Sequence, residues 1–135
     1  MSVDYDEMLD RLIDGTLGVE GFDHAAHIGT AHAALRRYEF FEAASVFAAG
    51  LRSLTRRVGL EEKYNATVTL AFLSLIAERM GSETSSDFVA DHGDIGMSEL
   101  LRLGYEPERL ASDRARRVGL LPLAGAAHRV RRVLI

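Results

Sequence analysis

The sequence contains no cysteine. That absence excludes disulfides, thiolate metal sites, iron–sulfur clusters and a cysteine nucleophile, and it is compatible with a reducing compartment. Only two prolines occur, Pro107 and Pro122, so nothing interrupts helical periodicity through most of the chain. Long apolar runs are missing too. The most apolar stretch, 70–77, ends at Glu78 and Arg79, far short of a bilayer crossing. The acidic N-terminus has no basic segment followed by an apolar run, so neither a signal peptide nor an anchor is expected, and the assigned location is cytoplasmic. Phosphate loops, dinucleotide glycine patterns, nucleophile elbows and the zinc-deaminase signature are likewise lacking.

What remains is a chain of 135 residues, 47% apolar, long enough for one domain with one hydrophobic core. Charge is unevenly placed. Residues 1–107 carry nine basic and eighteen acidic side chains, and residues 108–135 carry seven and two. An acidic body with a basic end suggests a tail that folds back on the body or meets an acidic partner. Nucleic acid is disfavoured, because no helix-turn-helix, zinc finger or aromatic platform accompanies the basic end.

Periodicity predicts an all-α fold, a compact bundle of about four main helices followed by short C-terminal helices. The first covers Val3 to Ile13, with acids in its opening turns. A glycine-rich connector leads to a second, capped by Asp23 and ending at the Arg36-Arg37 pair. The third, about 39–58, has the clearest stripe: Phe40, Ala44, Phe47, Leu51, Leu54 and Val58 recur at spacings of four and three. The fourth, from Glu61 or Glu62 to Met80, is apolar nearly all round and reads as a central helix. Thr84 or Ser85, Ser98, Pro107 and Ser112 open shorter elements. Residues 1–118 form the expected helical domain, and 119–135 a basic-apolar arm packed on the body or on a partner. The Trp, Leu, Gly and Pro pattern of tetratricopeptide repeats is not repeated.

His24 and His27 are the most informative candidates. At three residues apart their rings lie about 60° apart around a helix, close enough to share a ligand or one metal ion. Histidines near a helix start also cap, stack on aromatics or sit in solvent, so a structural role stays open. His32, about 80° and 140° from the two, points elsewhere. Glu78 is the candidate carboxylate partner, since Thr67, Ala71, Ser74 and Glu78 form a narrow line of small and polar residues on the fourth helix. A buried Glu78 would have a raised pKa suited to general acid or base work. The alternative places it in an exposed last turn beside Arg79. Tyr38 or Tyr64 could donate a phenolic hydrogen bond to a ligand, or simply bury its ring. Asn65 lies about 140° from Glu78, on a face shared with Thr69, Phe72 and Ile76. The Asp91-His92-Gly93-Asp94 segment reads as a polar turn, lacking the ligand spacing of a calcium loop.

Phe22-Asp23-His24-Ala25-Ala26-His27, followed by Lys63-Tyr64-Asn65-Ala66-Thr67 and then Pro107-Glu108-Arg109-Leu110, resembles the pattern of a group of small, largely uncharacterised bacterial helical proteins. Their pattern is Phe-x-His-x-x-His, Lys-Tyr-His-x-Thr and Ser/Pro-Glu-x-Leu. The resemblance spans most of 22–118. Where the pattern has a third histidine this chain has Asn65, which weakens any metal site built on those histidines and leaves amide hydrogen bonding to an organic ligand. The expected function is a small-molecule binding protein or a small auxiliary or tailoring enzyme, with His24, His27 and Glu78 as proton-transfer or orienting groups and Tyr38, Tyr64, Asn65, Thr67 and Ser74 as ligand-binding residues. No nucleotide cofactor is expected, and a divalent metal ranks behind an organic ligand. The competing expectation is a helical interaction module in a homo- or hetero-oligomer.

Overall fold

A computed structural model describes residues 3–123. Among them are eight α-helices, one 3₁₀ turn and no strand: α1 (Tyr5–Asp14), α2 (His24–Arg37), α3 (Phe40–Arg57), the 3₁₀ turn (Glu61–Lys63), α4 (Ala66–Arg79), α5 (Ser85–His92), α6 (Met97–Arg102), α7 (Pro107–Leu110) and α8 (Asp113–Arg117). The all-α architecture of four longer helices followed by shorter ones is as the periodicity predicts.

Side-chain caps set most of the boundaries. Asp4 accepts from Glu7 N ahead of α1, Asp23 from Ala26 N ahead of α2, and Thr84 from Asp87 N ahead of α5. Each satisfies an N–H that the first helical turn leaves without a partner. The fourth helix differs from the expectation. Glu61 to Lys63 form a separate 3₁₀ turn, and α4 begins only at Ala66, because the Asn65 carboxamide accepts from Val68 N and supplies the cap.

The central element is α2 rather than α4: it packs against α1, α3, α4 and α5. Ile28 to Ala34 are all buried, an unbroken run of mostly small residues. Small side chains on every face let neighbouring helices approach closely. The closest approach is at Gly29, where an added Cβ would lie 2.3 Å from the Tyr5 ring of α1. Gly50 of α3 makes a similar seat for Leu12, with 2.7 Å to its Cγ.

The more apolar α4 is covered less completely. Leu73, Leu75 and Ile76 are buried, whereas Val68 and Phe72 are only half-buried and Leu70 is exposed. On another of its faces, the Thr67 hydroxyl donates to the Val118 carbonyl (2.6 Å) and accepts from Leu120 N (2.9 Å), which straps the chain after α8 across the helix. Tyr105 Oη donates to the Leu120 carbonyl and fixes the same strap. The remainder of the expected C-terminal arm, 124–135, lies outside the described residues.

Candidate functional site

A cavity of about 260 Å³ lies between α2, α3 and α4. Its walls follow from the elements just described. The first turns of α2 contribute His24, His27, Ile28 and Ala31, and α3 contributes Phe47, Leu51 and Thr55. Lys63, Tyr64 and Asn65 close it from the segment before α4, and Val68, Thr69, Phe72, Leu73 and Ile76 form the α4 wall. The incomplete burial of Val68 and Phe72 therefore has a cause: both face a cavity.

His24 is the first residue of α2, and its Nε2 donates to the carbonyl of Ile95 at 2.5 Å. A carbonyl has no hydrogen to give, so Nε2 must carry the proton. In the neutral ring Nδ1 is then left as an acceptor. Ile95 is itself buried between α5 and α6, so a loop remote in sequence sets the tautomer of His24. The His24 ring also meets Phe72 edge-on, with centroids 6.3 Å apart.

His27 packs on Phe22, with ring centroids 4.4 Å apart. It retains solvent contact, yet the protein around it strips water from the ring, and His24 adds like charge when protonated. Together these lower its pKa from the ordinary 6.5, against a smaller opposing pull from Asp23. Near neutral pH His27 is an uncharged base. Tyr64 is pushed the other way: burial raises the phenol above 10.0, opposed by Arg52, whose guanidinium carbon lies 5.9 Å from the ring centroid. Its hydroxyl therefore stays protonated and able to donate.

The expected site residues divide into two groups. His24, His27, Tyr64 and Asn65 are brought together on one cavity. Asn65 is already committed at both ends of its carboxamide: Oδ1 caps α4, and Nδ2 donates to the Leu110 carbonyl at 2.7 Å. Glu78, Thr67, Ser74 and Tyr38 do not line the cavity. Glu78 is exposed near the end of α4, and the neighbouring Arg79 pairs with Glu99 at 2.5 Å. The reason is rotational. Thr67, at the start of the 67–71–74–78 line, meets the C-terminal strap, while the 65–69–72–76 face meets the histidines. Thr67 is engaged by that strap, and Tyr38 terminates α2 and packs half-buried against the core.

Lys63, Thr55 and the aromatic walls Phe47 and Phe72 were not among the expected site residues. Lys63 was legible only as part of the Lys-Tyr-Asn motif. The walls depend on which helices pack together.

A second histidine environment lies deeper on α2. His32 has no exposed surface, its ring stacks on Phe88 with centroids 4.5 Å apart, and Nδ1 shares a 2.7 Å hydrogen bond with Ser85 Oγ. Its Nε2 stands 3.8 Å from the Glu83 carboxylate, within ion-pair range but too long for a hydrogen bond. Burial lowers the His32 pKa, with Glu83 opposing. A pair between the buried His32 and the partly exposed Glu83 carboxylate thus exists, but between α2 and the segment before α5, not at the cavity.

Among the described residues, no group of three or more His, Asp or Glu side chains could hold a metal ion, and no helix is long and apolar enough to cross a membrane. Comparison with protein-family models, with curated proteins and with solved structures gives no match for this chain. Function is read from the site alone.

Proposed function

We propose that the chain is a small-molecule binding protein, or a small auxiliary enzyme, that takes an organic ligand into the α2–α3–α4 cavity and uses His24 and His27 to orient it or exchange a proton with it. The observation that carries this reading is the cavity itself, with an apolar floor and two histidines in its wall. The histidines are chemically distinct. His24 has its tautomer set by Ile95, and His27 is held neutral, so His27 can offer a nitrogen lone pair to a ligand near neutral pH. The two segments that resemble the bacterial helical group's pattern, with Asn65 in place of its third histidine, bring His24, His27, Lys63, Tyr64 and Asn65 to the same cavity, which supports treating them as one site.

Filling the cavity is the direct test. Ala31 is buried and lines it. Ala31→Leu is expected to abolish binding of apolar fragments seen by ligand-observed NMR with the wild type, while preserving the cooperative thermal transition. Failure of the wild type to bind any fragment, or equal binding by the filled variant, overturns the proposal.

A second reading is favoured by a different observation. Met97, Leu101 and Leu103 on and just after α6, together with Val118, Leu121 and Leu123, leave apolar side chains exposed in the C-terminal third. A helical interaction module would use that surface in a homo-oligomer or against an acidic partner of the basic end. Light scattering over a wide concentration range decides between association and a persistent monomer, and the latter counts against this reading.

A further inference from the structure

Among the described residues, the titratable side chains in the cavity wall are His24, His27, Lys63 and Tyr64, and none of the lining residues is a carboxylate. The flanking acids along the chain, Asp23, Glu61 and Glu62, stay out of the wall, and Asp23 is committed to capping α2. This is a selective feature in an acidic protein with a net charge of −4. Lys63 is the only lysine in the sequence, and it is exposed while lining the cavity, which places it at the mouth.

The backbone contributes the same sign. α4 begins just after Asn65, whose cap is uncharged, so one helix N-terminus with partial positive charge borders the cavity, while that of α2 is offset by the Asp23 carboxylate. Behind this mouth the floor is formed by Phe47, Leu51, Phe72 and Leu73. A wholly apolar occupant would cover the basic groups without replacing their water, at a cost in free energy. A dianionic phosphate matches the site poorly, because it offers a single ammonium and no guanidinium fork.

We infer that the cavity's occupant is a small monocarboxylic acid with an apolar body, its carboxylate at the mouth beside Lys63 and a ring N–H of His27, and its body against the aromatic floor. This rests on the proposed reading of the cavity as a ligand site and names the ligand class. A separate cleft on the other side of Tyr64, lined by Arg52, Arg116 and Arg117 with Glu61, is the competing place for an anion on this part of the surface.

Octanoate and its neutral counterpart octanamide separate the possibilities. With lysine carrying ¹³C and ¹⁵N, Lys63 gives the sole lysine side-chain signals of the full-length chain. Octanoate is expected to shift those signals and to bind about tenfold more tightly than octanamide, the size of one charge-assisted hydrogen bond. Lys63→Gln should bring the two affinities together. Ala31→Leu should remove binding of both. Equal affinity of the wild type for acid and amide overturns the carboxylate assignment and leaves the cavity reading standing. A preference that survives Lys63→Gln and disappears in an Arg52→Gln/Arg117→Gln variant overturns it as well, by placing the anion in the arginine cleft. Binding of neither probe overturns both readings.

Discussion

Helix α2 carries three histidines in two contrasting environments. His32 is enclosed by Ser85, Glu83 and the Phe88 ring, with no surface left to solvent. One turn or more nearer the N-terminus, His24 and His27 border a cavity with apolar walls. The same side chain on the same helix serves packing in one place and borders open space in the other. What distinguishes them is space: a functional histidine needs room beside it for another molecule, whereas a histidine that fills its own space is part of the core.

The largest expected effect tests that contrast directly. His32→Ala removes a fully buried ring and leaves Ser85 without its partner, and should cost about 3 kcal/mol in urea unfolding. His27→Ala, at a solvent-contacting position, should cost less than about 1 kcal/mol while weakening ligand binding. Equal costs would erase the distinction. Thr67→Val comes next, at about 1–2 kcal/mol, since it removes a hydroxyl that bonds both Val118 and Leu120. Its diagnostic result is faster amide hydrogen exchange at Leu120 with fragment binding unchanged.

Acid should sharpen the comparison further. Both His32 and His27 have folded-state pKa values lowered from 6.5, so the unfolded chain binds these protons more readily. The stability linked to each is fully present above pH 6.5 and is lost as pH falls from there through the lowered folded-state value. Urea midpoints measured between pH 7.5 and 5 should fall on acidification, and the fall should be shallower in His32→Gln than in the wild type. The smallest effect is expected for Glu78→Gln. Exposed and away from the cavity, it should alter stability by less than about 0.5 kcal/mol and leave octanoate affinity unchanged.

Much of the helical frame was legible because it depends on local chemistry. Asp23, Thr84 and Ser112 announce α2, α5 and α8 by their capping side chains, and each does cap. The start of α4 was not, because Glu61 to Lys63 have helix-compatible composition and only the Asn65 carboxamide marks the later boundary. Spacing also brought out the His24/His27 pair. Choosing its partner wall was harder, since periodicity locates residues on faces without saying which face of a nearly all-apolar helix meets α2. The Thr67 line carries the expected Glu78, Thr67 and Ser74, but its first residue holds the C-terminal strap. The face carrying Asn65, Thr69, Phe72 and Ile76 is the one at the cavity.

The bond from His24 to residue 95 has an evolutionary consequence. Its acceptor belongs to the peptide backbone, so a change of side chain at Ile95 does not delete the acceptor as replacing a glutamate or serine would. Genetic drift at that position could reshape the packing under the ring while leaving the orienting oxygen in place. An essential part of such a site can therefore persist through substitution without ever becoming a motif.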